Sequence, residues 1–441
     1  MKYLARCSVL VAASIALSAS ASAAHWPQWR GPHFNGSSDE QNLPVKWSKT
    51  DNLAWSVDLP GPSAATPIIW EDRVFVSSTD LSTKSLQAIC LDRKTGRILW
   101  QHKTGEIMQR DNRSTFASPS PATDGKLVVF FYGNGELVAF DLAGKKLWSR
   151  NIQKDYGDFA FLWTFSSTPV LHAGKLYLQV LQRDVPVSGR GRSDAPNDPY
   201  LLAMDPATGK TLWREVRPSQ AVAESREAFT TPIPYEFNGR KQLLVAGGDD
   251  LTAHDLETGK ELWRWGTWNP SRIGHWRLVP SPVAGNGIVL ACAPKGDPIY
   301  AIKADGSGTL DDSAIAWKSE TQRTLSSDVP TPAFYKGDFI VLGDMRKTLL
   351  RVDPKTGSIK WSLELPGRKK LESSPTVADG KIYFMDFGGD VVVADAEKGV
   401  VLNTIPMGEQ GDNEIRSSIA VANGQLYIRT NKKLFCVGKG A

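Results

Sequence analysis

The chain has 441 residues, a formal net charge of +5 from 52 basic and 47 acidic side chains, and four cysteines. So mild a charge gives no argument for nucleic acid or an anionic membrane surface as partner, and so few cysteines exclude a disulfide-built scaffold. A single core rarely grows beyond about 250–300 residues, so a chain of this length is either divided into domains or built from repeats.

The first segment carries Lys2 and Arg6, then an apolar run from Val9 to Ala19, then small residues from Ser20 to Ala24. This is the layout of a secretory signal peptide, with cleavage after Ala21 or Ala23. Residues 1–24 are therefore predicted to be removed, and the protein to be exported to the periplasm or cell envelope. The run is too short for a membrane span of about 20 residues, and no later segment could form one. Loss of Cys7 leaves Cys90, Cys292 and Cys436, an odd set best read as small core residues. Residues 25–51 form an N-terminal extension that opens His25-Trp-Pro-Gln-Trp-Arg-Gly-Pro32.

From there two phrases alternate to the C-terminus. One is Asp, then Thr-Gly or a variant, then Trp: LDRKTGRILW ends at Trp100, FDLAGKKLW at Trp148, MDPATGKTLW at Trp213, HDLETGKELW at Trp263 and VDPKTGSIKW at Trp361. A degraded copy runs from Lys303 to Trp317, and in the last copy Asn403 holds the Trp position. The other phrase is Ser/Thr-Pro followed by a turn and a β-rich run, with Pro67, Pro121, Pro169, Pro232, Pro282, Pro332 and Pro375, and Ile419 in the proline slot of the final copy. Copies spaced by about 50 residues match the propeller period. Each should give four short strands, for example Pro375–Ala378, Lys381–Asp386, Asp390–Asp395 and Val400–Asn403. The final copy stops after its third strand, Lys433–Gly438, and the missing fourth reads at the other end of the chain, in Ala54 to Gly61. The expectation is an all-β, eight-bladed propeller over residues 52–441, closed by an N-terminal strand that completes the last blade.

The A-x-D-x-x-T-G-x-x-x-W phrase resembles the repeat of the pyrroloquinoline quinone (PQQ) propeller superfamily over nearly the whole mature chain. The opening His25–Pro32 phrase resembles exported propellers of planctomycete type, which are described as similar to the outer-membrane assembly factor BamB. The resemblance implies the propeller fold and leaves two functions open. Some members are quinone-dependent dehydrogenases with adjacent cysteines, a carboxylate base and calcium; others are scaffolds without a cofactor.

The residues here carry neither adjacent cysteines nor a haem attachment phrase, and no His/Cys cluster has metal spacing. Gly247-Gly248-Asp249-Asp250 reads as a strand-to-strand turn, not a calcium loop. His172 and His254 read as framework. The Trp column, Trp55 to Trp361, reads as packing between blades. The long segments between one blade's last strand and the next blade's first share one face and hold Arg113, Trp163, Arg226, His275, Trp276, Arg277, Arg323 and Arg416, with an insertion at Asp184–Pro199 on that same face. Guanidinium forks beside aromatics suit anionic groups. The expectation is accordingly a monomeric, non-catalytic scaffold or binding propeller with no cofactor, recognising an envelope protein or an anionic small molecule or saccharide on this face. The alternative is a dehydrogenase dependent on PQQ and calcium.

Overall fold

A computed structural model describes residues 25–107, 114–320 and 324–439. Among the described residues eight sheets follow one another along the chain, each built on four antiparallel strands. Blade one covers 68–106, two 122–151, three 170–216, four 233–265, five 283–318, six 333–364, seven 376–406 and eight 420–437. The all-β propeller expected from the repeats is what forms. In blade seven the strands are Thr376–Ala378, Lys381–Met385, Asp390–Asp395 and Val401–Pro406, within a few residues of the sequence reading. Residues 1–24, read from the sequence as a signal peptide, lie outside the described residues.

Blade eight closes as the sequence suggested. Leu53–Asp58 pairs antiparallel with Lys433–Val437, setting Trp55 opposite Cys436 and Asp58 opposite Lys433. A second device seals the same seam. The fully buried Arg429 of blade eight reaches the carbonyls of Ser77 and Gly61 beside blade one.

The repeated phrases explain how blades stack. Asp92 Oδ1 accepts from the amides of Lys94 (3.1 Å) and Thr95 (2.8 Å), so the turn is built by the Asp side chain. The glycine that follows takes positive φ, and it does a second job. At Gly144 a Cβ would stand 2.6 Å from the Trp100 ring of the preceding blade. In several blades the indole N–H reaches over the same boundary: Trp148 Nε1 donates to Pro206 O at 2.8 Å and Trp317 Nε1 to Pro354 O at 2.8 Å, whereas Trp263 Nε1 donates to Gln242 Oε1 inside its own blade. Asp, Gly and Trp are thus one inter-blade joint written as a single phrase. Where Asn403 replaces Trp, no such turn follows in blade eight, and its Nδ2 bonds instead to Val45 O of the N-terminal extension at 2.9 Å.

A short helix and an extra strand are among the elements not legible in the repeats. A one-turn helix, Ile152–Tyr156, follows blade two and is capped by Asn151. The degraded copy in blade five sends Gly308–Leu310 back to pair in parallel with the outer strand of blade four, giving that blade a fifth strand.

Candidate functional site: the central funnel

The Ser/Thr-Pro phrase places two residues of every blade on the central channel. Proline confines the residue before it to extended backbone, and the hydroxyls form a ring. Thr66 N donates to Ser120 Oγ (2.9 Å), Ser120 N to Thr168 Oγ1 (3.2 Å), Thr168 N to Thr231 Oγ1 (3.1 Å) and Thr231 N to Ser281 Oγ (2.8 Å). The series continues from Ser281 N to Thr331 Oγ1 (2.9 Å), Thr331 N to Ser374 Oγ (2.9 Å) and Ser374 N to Ser418 Oγ (3.1 Å). Every bond crosses to the next blade. The series is open at one joint, because Thr66 Oγ1 is buried and receives no bond among the described residues.

Two positions before each hydroxyl stands a wall residue: Ala64, Ser118, Ser166, Phe229, Val279, Val329, Glu372 and Arg416. These eight, with Ser114, Trp163, Arg277 and Trp29, border a cavity of about 200 Å³. Its wall is sided. Blades four to six contribute Phe229, Val279 and Val329, whereas blades seven and eight contribute an ion pair, Arg416 Nε to Glu372 Oε2 at 2.6 Å. Arg277 Nη1 pairs with Glu224 Oε1 at 2.9 Å, and the Trp163 indole points to the same carboxylate at 3.4 Å.

Of the residues singled out in the sequence, the structure brings Trp163, Arg277 and Arg416 together on this cavity. Arg226 instead pairs with Asp184 at 3.2 Å, tying its loop to the base of the blade-three insertion. Trp276 is buried and donates to Asp297 Oδ2 at 2.8 Å, and His275 is exposed. Arg113 and Arg323 lie outside the described residues. The framework readings fit the geometry. His254 is buried, bonded to Gly259 O and Thr252 Oγ1 at 2.9 Å each, and burial holds its pKa down at about 4. Asp249 is held by Asn269 and Asp250 by Arg264, and among the described residues no group of three His, Cys, Asp or Glu is arranged to hold a metal. Cys90, Cys292 and Cys436 are buried free thiols; burial pushes Cys90 and Cys436 up to about 12, which leaves no thiolate for chemistry.

Three residues of this region were missed. Glu372 had a signal, since it occupies the wall slot of its repeat. Trp29 had none, because it belongs to the extension. Asp344 also had none. Its Oδ1 accepts from the amide of Asp328, next to the lining residue Val329, at 2.9 Å. Burial, with Asp328 and Glu372 nearby, raises its pKa to about 7.

A family model described as outer membrane protein assembly factor BamB matches residues 37–188, 164–311 and 308–437. The polyvinylalcohol dehydrogenase of Sphingopyxis is 26% identical over 367 residues, 75% of this chain and 49% of that protein. The quinohemoprotein alcohol dehydrogenase ADH IIB of Pseudomonas putida is 27% identical over 320 residues, 69% of this chain and 40% of that protein. The chain therefore spans less than half the length of either dehydrogenase. BamB of Kangiella koreensis is 28% identical over only 149 residues, 33% of this chain. Among solved structures, a europium-containing methanol dehydrogenase superposes with a TM-score of 0.65 at 13% identity, covering 92% of this chain and 89% of that one. These relatives overturn the expectation of a non-catalytic scaffold. Sequence similarity to these two dehydrogenases extends over most of the chain, and that to the Kangiella BamB over a third.

Proposed function

The chain belongs to the family described as outer membrane protein assembly factor BamB, whose repeat is the PQQ-type blade, and from that premise we propose that it is a dehydrogenase member. It would oxidise an alcohol with a pyrroloquinoline-type quinone held in the central funnel, and would do so in the periplasm or cell envelope. The observation that carries the reading is the placement of Glu372, Arg416 and Arg277 on one cavity.

The donor set fits such a group. The quinone is a flat ring system bearing carboxylates. Arg277 spends Nη1 on Glu224, and Arg416 spends Nε and Nη1 on Glu372 and Glu414, so each keeps further N–H donors for a ligand among the described residues. Phe229 and Trp163 supply apolar faces, and the ring hydroxyls supply donors along the inner rim. Bound there, the quinone would supply the two-electron acceptor. The chain's own residues do the rest. Arg277 and Arg416 orient the anionic edge. The apolar side, Val279 and Val329, excludes water beside the substrate carbon. Glu372 Oε1, the oxygen that Arg416 Nε does not engage, takes the proton of the substrate hydroxyl. With no metal cluster among the described residues, no step is assigned to calcium.

The test is reconstitution of the mature protein with the quinone, with and without calcium, followed by dye-linked oxidation of primary alcohols. A bound chromophore and turnover are expected. Glu372→Gln should keep the chromophore and lose about 10²–10⁴-fold in rate. A flat difference spectrum would exclude the reading.

A further inference from the structure

Among the described residues on the cavity, Trp29 is the one that comes from the N-terminal extension. It sits in a strap that crosses the propeller axis. On one side Trp26 pairs with Ile69 of blade one, and Pro27 O accepts from Thr123 N of blade two at 2.9 Å. On the other, Asn35 O accepts from Phe334 N of blade six at 3.0 Å, and Ser38 N donates to Val377 O of blade seven at 3.1 Å. Trp29 and Arg30 lie between these two sets of contacts, and Trp29 borders the cavity together with hydroxyls of the ring.

Arg30 is only 2% exposed, and its guanidinium lies 5.6 Å from the centroid of the Trp29 ring. It bonds to carbonyls from both sides of a blade boundary, Pro332 O at 2.8 Å and Pro375 O at 3.3 Å. It meets no carboxylate among the described residues, and its Nε has no partner. Burying a charge without a counter-ion is costly. The strap therefore carries an unneutralised cation to a point directly behind the cavity's aromatic end.

We infer that the strap is the inner wall of the ligand site: Trp29 lies against the inner end of the bound group, and Arg30 behind it selects an anionic, ring-bearing one. This deepens the cofactor reading above and rests on it. The ligand then enters from the loop face alone. Strap docking and ligand binding also strengthen each other by the same factor, since coupling between two binding events is reciprocal.

The experiment uses the mature protein, the quinone as probe, calorimetric titration and amide hydrogen exchange. Trp29→Ala should weaken quinone binding by about ten- to a hundredfold, and Trp29→Phe should recover most of it. Quinone should slow exchange across Trp26–Gly36 in the unaltered protein, a readout that stands even if Trp29→Ala fails to fold. Unchanged affinity in Trp29→Ala overturns the inference, as does quinone binding that leaves strap exchange unmoved. Absence of quinone binding to the unaltered protein overturns instead the cofactor reading on which the inference rests.

Discussion

At the scale of single residues, the Asp-Gly-Trp joint makes a sharp demand on one atom. Gly144 has φ +93°, and a Cβ there would meet three Trp100 ring atoms within 3.0 Å. Gly144→Ala is expected to destabilise the protein by more than about 1 kcal/mol, because it combines backbone strain with an overfilled contact; chemical denaturation measures it. Asp344 gives a pH signature. Its pKa is raised from 3.8 to about 7, so between these values the folded state holds a proton that the unfolded chain has released. Stability from this group therefore falls as pH rises through that window, and the penalty is complete above pH 7. Asp344→Asn should match the parent near pH 4 and exceed it at pH 8, as read by urea midpoints at both pH values. Nothing in the sequence signals the burial of Asp344, because the groups that enclose it come from different blades.

At the scale of elements, the strand Leu53–Asp58 decides whether the ring closes. Deleting Asn52–Leu59 exposes the edge of blade eight and removes Trp55 from its contact with Gly96. Loss of the cooperative melting transition is expected, and an unchanged transition would defeat the closure account. This element was legible because it repeats Lys360–Gly367 almost residue for residue. The five-stranded sheet of blade four was not. Its extra strand, Gly308–Leu310, sits where the phrase decays, so nothing in the repeat pattern registers it. The funnel was half legible for a related reason. Arg277 and Arg416 precede inner strands and could be read by position, whereas Arg226 at a comparable position turns away to Asp184 in an insertion that only blade three possesses.

At the scale of the whole molecule, the seam between blades eight and one is where the ring closes. The fully buried Arg429 spans it with bonds to Ser77 and Gly61, and burial lowers its pKa only to about 9, so it stays charged at neutral pH. Arg429→Ala should cost about 1.5–3 kcal/mol through loss of charged hydrogen bonds, measured by denaturation of the mature protein. At the axis, the same seam is where the hydroxyl series has its unanswered acceptor, Thr66 Oγ1. The bonds run one way around the axis, from each blade to its successor, so they make a split ring and not a hoop. A split ring leaves its gap to other ties: no hydroxyl of the series resists the first and last blades parting there, so that joint rests on Arg429 and the closing strand.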